Sequence, residues 1–128
     1  MSKEVVRTEA APAPFQGAPY SQAIKANGLV FVSGQLALRP GDKELQGGEI
    51  GPQTEQIFAN LKAILEEAGS SLDKVIKTTV FLQRLEDFAG MNEVYARHIG
   101  DSPPARSTVE VAKLPSGALV EIEAIALA

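Results

Sequence analysis

The chain has 128 residues, sixteen acidic against twelve basic side chains, a formal charge of −4 and no cysteine. With a pI near 5.0 it offers no broad basic field, which argues against sequence-independent nucleic-acid binding, and the lack of thiols excludes disulfides, a cysteine nucleophile and cysteine-based metal sites. Its length and 45 % apolar content fit one domain over residues 1–128. Near the N-terminus stand Lys3, Glu4, Arg7 and Glu9 in place of an apolar signal core, and apolar runs such as Leu29 to Val32 are far too short to span a bilayer. A cytoplasmic location is expected.

In chain order, Glu4 to Thr8 reads as a short strand, and Ala10 to Pro14 as an extended connector because its prolines disfavour helix. Ser21 to Ala26 and Leu29 to Ser33 are two extended runs about Asn27-Gly28, the dipeptide suited to a two-residue hairpin. The residues from Arg39 to Gly51 are turn-rich and polar, as in a surface loop. From Pro52 to Ala68, Ile57, Phe58, Leu61, Ile64, Leu65 and Ala68 recur at helical spacing, with Gly51 as the cap, Pro52 in the first turn and Gly69 as the stop. Val75 to Leu82 is rich in β-branched residues and reads as a strand. Phe88, Met91, Val94, Tyr95 and Ile99 form a second helical stripe ended by Gly100. Two more extended segments, Pro103 to Val111 and Ala118 to Ala126, are joined through Leu114-Pro115-Ser116-Gly117.

The order ββ(β)αβαββ implies an α+β fold with a mixed sheet, two crossovers and both helices on one face. The other face, expected to carry Ser21, Ala23, Leu29, Phe31, Thr79 and Phe81, is then uncovered, which predicts an oligomer packed sheet to sheet.

Alternation along the last two segments puts Arg106, Thr108 and Glu110 on one side of the first, and Leu119, Glu121, Glu123, Ile125 and Leu127 on one side of the second. Charges on apolar ladders are costly unless paired or awaiting a ligand. On strand geometry alone, a rim salt bridge between Arg106 and Glu121 or Glu123 and a ligand site are both open readings. His98, the sole histidine, lies at a predicted helix end where the dipole favours it, and neither a metal triad nor a Ser-His pair can be assembled around it.

Pro104-Ala105-Arg106-Ser107 with Val109-Glu110-Val111-Ala112, Leu114-Pro115 and Glu121-Ile122-Glu123-Ala124 resembles the signature of the RidA (YjgF/YER057c/UK114) family of reactive-intermediate imine deaminases. Ala18-Pro19-Tyr20-Ser21-Gln22-Ala23, Val32-Ser33-Gly34-Gln35 and Val75 to Phe81 match in the same order. The resemblance implies a chorismate-mutase-like fold, a homotrimer with sites in the inter-subunit clefts, and hydrolysis of enamines or imines of the 2-aminoacrylate and 2-iminopropanoate class to 2-keto acids and ammonia, with no cofactor or metal. It also implies roles for particular residues. Arg106 would grip the substrate carboxylate with its planar fork, Glu121 would position or activate the attacking water, Tyr20 would wall the pocket, Ser33 would offer a hydroxyl near the reacting end, and Asn92 an amide from the second helix. Gly34 would permit close backbone approach, although a bulge or tight strand packing explains a strand glycine equally well.

The chain departs from the common pattern at Ala18, where many relatives have glycine, at Pro103, where many have phenylalanine, and at Thr108, where some have cysteine. The first two bear on the pocket wall and hence on substrate range; Thr108 excludes thiol chemistry but leaves a backbone N–H for the substrate carboxylate. Glu123 reads as an interstrand or inter-subunit ion-pair partner. Burial would raise the Glu121 pKa and a nearby Arg106 would lower it, and the sequence leaves that balance open. Two other functions compete: a non-catalytic binder of 2-keto acids or related metabolites, and a ribonuclease or translation inhibitor, against which the acidic charge weighs.

Overall fold

The structure is a computed structural model that describes residues 2–128. Six strands form one mixed sheet: β1 (Glu4–Val6), β2 (Ala23–Ala26), β3 (Leu29–Gln35), β4 (Val75–Leu82), β5 (Ala105–Glu110) and β6 (Val120–Leu127). The spatial order is β1-β2-β3-β6-β4-β5; β4 and β5 are parallel and the other neighbours antiparallel. Two helices, α1 (Ile50–Glu67) and α2 (Phe88–Ile99), make the crossovers from β3 to β4 and from β4 to β5. The hairpin forms about Asn27 and Gly28, both at positive φ (53° and 79°), as the dipeptide requires. Strand β1 stops at Val6, and β2 begins at Ala23 instead of Ser21.

Helix α1 starts earlier than its apolar stripe suggests. Glu49, in an extended conformation, is the cap, so Gly51 lies inside the first turn and caps nothing. Proline at position 52 is still tolerated there, because first-turn N–H groups have no intrahelical partner. Ile57, Phe58, Leu61, Ile64 and Leu65 of α1, with Met91, Tyr95 and Ile99 of α2, pack on Val30, Val32, Val80, Leu82, Val120, Ile122, Ala124 and Ala126. Burial of such side chains contributes about 1.5–3 kcal/mol each, which fixes the strand faces: Val30 and Val32 of β3, Thr78, Val80 and Leu82 of β4 and the even-numbered positions of β6 look toward the helices.

The two C-terminal strands do not pair with each other. Because β5 arrives by a crossover and lies parallel to β4, β6 occupies the far side of β4 and runs antiparallel to it.

The opposite sheet face carries no helix. Phe31, Val109 and Leu127 remain 42 %, 43 % and 48 % exposed there. Two of the residues expected on that face sit differently. Ala23, opposite Val32, is buried in the core under the helices, because residues paired across the hairpin share a face and Val32 points to the helices. Phe81 is covered in part by a second cluster of Leu36, Leu114 and Ala118 together with Phe15, Leu45 and Val111, so loops close over that end of the sheet.

Buried amides shape these loops, whose path the sequence does not disclose. Asn60 Nδ2 donates to the carbonyls of Leu36 and Leu38 at 3.1 and 2.9 Å. Gln53 accepts from the Leu119 N–H at 2.9 Å and donates to the Gly47 carbonyl at 3.1 Å. The connector is tied in the same way: Gln22 donates to the carbonyls of Thr8 and Pro12 and accepts from the Thr8 N–H. Each is a buried polar group satisfying backbone that sheet and helix leave unpaired.

Candidate active site

A cleft of about 440 Å³ lies on the open sheet face, lined by Phe15, Tyr20, Ser33, Gly34, Leu36, Pro115, Glu121 and Glu123 among others. Strand β3 is irregular between Val32 and Gln35, which turns Ser33 and Gly34 toward β6. The Glu121 carboxylate lies directly over Gly34: a Cβ built there would overlap Oε2 and stand 3.0 Å from Cδ. The glycine thus sits at a bulge, and the group packed against it within the chain is Glu121. The Ser33 hydroxyl donates to the Ser21 carbonyl at 2.6 Å, leaving its lone pairs to accept. Tyr20, 41 % exposed, accepts the Phe15 N–H on its phenolic oxygen at 2.6 Å, so it props the turn that carries the Phe15 wall.

Glu121 makes no ion pair among the described residues, and burial, followed by the charge of Glu123 two residues along, pushes its pKa above the usual carboxylate range. The balance left open by the sequence thus falls on the side of desolvation. Glu123 makes no ion pair either among the described residues. A carboxylate of raised pKa in a cleft is a stronger proton acceptor than an ordinary glutamate.

Arg106 is elsewhere. In the β4–β5 ladder it stands opposite Thr78, and in the β4–β6 ladder Thr78 stands opposite Ala124, whereas Glu121 is opposite Phe81. Residues 78 and 81 of one strand point to opposite faces, so Arg106 lies on the helix side and Glu121 on the open side of the same sheet. The rim salt bridge is absent for that reason. Instead Arg106 Nη1 donates to Asn92 Oδ1 at 2.8 Å, and its guanidinium carbon lies 4.7 Å from the centre of the Tyr95 ring and 5.5 Å from that of Phe88. Asn92 is thus joined to Arg106, while Tyr20, Ser33 and Gly34 are joined to Glu121. Thr108 shares the Arg106 face, opposite Val80, and its Oγ1 is buried without a hydrogen-bond partner.

Sequence reasoning missed Phe88 and Tyr95 at this position, reading both only as members of an apolar stripe. Their spacing with Asn92, four and three residues apart on one helix face, was the available signal. Phe15 and Pro115 were also missed as cleft walls, since only the folded loops bring them there. His98 lies in the last turn of α2, where the dipole favours it, and does more: Nε2 donates to Glu55 at 2.7 Å and the ring stacks on Phe58 at 4.8 Å. It joins the two helices.

The family model described as Endoribonuclease L-PSP matches residues 8–128. A RutC family protein of Pyrococcus abyssi is 53 % identical over 126 residues, 98 % of each chain. The chloroplastic Reactive Intermediate Deaminase A of Arabidopsis thaliana is 48 % identical over 98 % of this chain and 66 % of its own length. Among solved structures, that of RidA from an Antarctic Psychrobacter is 45 % identical, with a TM-score of 0.92 over 98 % of this chain and 99 % of the other. A match of this length, across the strands and the helix that carry both clusters, means that the chain belongs to the RidA family.

Proposed function

We propose that the protein hydrolyses reactive enamines and imines of the 2-aminoacrylate and 2-iminopropanoate class to 2-keto acids and ammonia, at a site shared between neighbouring subunits of a homotrimer. The observation that carries this reading is the state of Arg106. In an acidic protein it is held by an amide and two aromatic faces, with no carboxylate partner among the described residues, which is the condition of an arginine awaiting an anion. Its counterpart, Glu121, lies on the face whose exposed Phe31, Val109 and Leu127 favour packing against another copy. In such an assembly the Arg106 cluster of one subunit faces the Glu121 cleft of the next.

The chemistry asked of the protein is modest. The enamine tautomerises to the imine by gaining a proton at C3 and losing one from nitrogen. Arg106 binds the carboxylate, and Glu121 takes a proton from water as its oxygen bonds to C2. The carbinolamine then collapses: the C–N bond breaks, the nitrogen leaves as ammonia with the protons it has gained, and the hydroxyl gives up its proton to become the keto oxygen. Holding water and imine at attack distance supplies most of the acceleration, and Ser33 is placed to accept a hydrogen bond from the imine nitrogen.

The test is to generate 2-aminoacrylate in situ with a lyase and to follow pyruvate with and without the protein, alongside an RNA-cleavage arm. Faster pyruvate release, lost in Arg106→Ala, is expected. Binding of pyruvate without any acceleration would favour a metabolite-binding role, and cleavage of RNA without deamination would refute the proposal.

A further inference from the structure

The aromatic platform beneath Arg106 is built with more care than core packing needs. Tyr95 is 6 % exposed, and its ring meets Phe58 edge to face at 5.5 Å and 84°. Its hydroxyl is 2.6 Å from Thr78 Oγ1 in a fully buried hydrogen bond. A phenylalanine with a valine at position 78 would fill the same space without any polar group to satisfy, so the pair needs a reason beyond burial. Thr78 is the residue directly opposite Arg106 in the β4–β5 ladder. One strand residue therefore registers the arginine's backbone and also anchors the ring over which its guanidinium lies.

We propose that Tyr95, locked by Thr78, is the positioning residue that sets the plane and height of the Arg106 guanidinium and thereby the affinity of the site for the carboxylate of 2-imino and 2-keto acids. The inference rests on the assignment of Arg106 as the carboxylate anchor. A guanidinium is flat, and a ring face 4.7 Å away leaves it little freedom to tilt. Asn92 takes one N–H of Nη1, while Phe88 bounds the guanidinium at 5.5 Å. What remains free is an edge of parallel N–H donors, the geometry a carboxylate requires. A swing of the Tyr95 side chain would carry its hydroxyl away from Thr78 and break that bond, so the hydroxyl holds the outer end of the ring in place beneath the guanidinium. Tyr95 touches no substrate in this arrangement and acts only through Arg106.

The experiment measures pyruvate affinity by titration calorimetry and steady-state deamination for the assembled wild type, Tyr95→Leu and the double variant Tyr95→Phe/Thr78→Val. Tyr95→Leu should weaken pyruvate binding and raise KM by roughly tenfold, the scale of a desolvated cation–π contact, with kcat within about twofold of wild type. The double variant keeps the ring but releases its outer end from Thr78 and should fall between the two. Placed in an Arg106→Ala background, Tyr95→Leu should not lower the residual kcat/KM further. Wild-type affinity in a folded Tyr95→Leu protein, or a full additional loss on top of Arg106→Ala, would overturn the inference. If Tyr95→Leu does not assemble, unchanged affinity in the double variant overturns it just as well. Failure of the wild type itself to bind pyruvate and to deaminate is a distinct result: it removes the carboxylate anchor, and this inference with it.

Discussion

If Arg106 and Glu121 serve one reaction from opposite faces of a sheet, two inactive proteins should repair each other when mixed. Arg106→Ala removes the anion grip; charge-assisted hydrogen bonds contribute about 1.5–3 kcal/mol each, so loss of a pair leaves on the order of one hundredth of the activity. Glu121→Gln removes the proton acceptor and should leave a comparable residue. In a shared site, one functional pair forms wherever a Glu121→Gln chain, with its arginine intact, faces an Arg106→Ala chain, with its glutamate intact. Unfolding an equal mixture and refolding it to random assembly brings the two chain types together in that order at about one quarter of the interfaces. The mixture should therefore recover about a quarter of wild-type deaminase activity, far above either parent. The assay is pyruvate release from in situ 2-aminoacrylate, with size-exclusion chromatography to confirm that the mixed oligomers match the parents. A refolded mixture no more active than its parents would mean that no site uses the two residues from different chains, and the face argument would fail.

Other outcomes follow from the same geometry. Because burial and the Glu123 charge raise the Glu121 pKa, Glu123→Gln should move the acidic limb of the kcat/KM profile to lower pH; an unmoved limb would detach Glu121 from that ionisation. For stability the sign is opposite to that of a salt-bridged carboxylate: between the ordinary glutamate value and the raised one the native state holds more protons than the unfolded chain, so urea stability should fall as pH rises through that window, and Glu121→Gln should flatten the fall. Gly34→Ala pushes the Glu121 carboxylate aside and should cost tenfold or more in kcat, roughly the penalty for a misplaced catalytic group, without loss of helical circular dichroism. Tyr20→Phe removes the acceptor for the Phe15 N–H and should lower activity by only about threefold to tenfold, since one neutral hydrogen bond is at stake; a loss as complete as that of Arg106→Ala would make Tyr20 a direct participant.

Much of this arrangement was legible because period-two and period-3.6 patterns are local. The limits of β4 from Val75 to Leu82 and the end of α2 at Gly100 agree with the structure, as does the alternation that puts Glu121 and Glu123 on one side of β6. What alternation cannot supply is the relation between strands. Arg106 and Glu121 each had a face, but whether those faces coincide depends on β4 lying between β5 and β6, a consequence of the second crossover that no local window contains. The start of α1 was hidden for a different reason: Ile50 and Gly51 make weak helix signals, and Glu49 caps without a side-chain bond. The cleft walls Phe15 and Pro115 depend on buried amides such as Gln22, Gln53 and Asn60, whose partners lie ten to sixty-six residues away.

The separation of the two charges has a chemical consequence of its own. Within one subunit, an arginine within ion-pair distance of Glu121 would hold that carboxylate ionised at low pKa and occupy the donor edge meant for substrate. Turning them to opposite faces leaves Glu121 destabilised by burial and Arg106 cradled by neutral groups, so neither charge is satisfied before assembly. In the shared site proposed above, a substrate carboxylate would lie against Arg106 while its imine carbon faces Glu121, so the ligand would supply the negative charge that the arginine lacks. Glu121, with no cation brought beside it, would keep its raised pKa. A carboxylate-bearing imine completes such a site in a way that a neutral imine cannot. Under the proposed function, a preference for 2-imino acids would therefore follow chiefly from where the sheet places these two side chains.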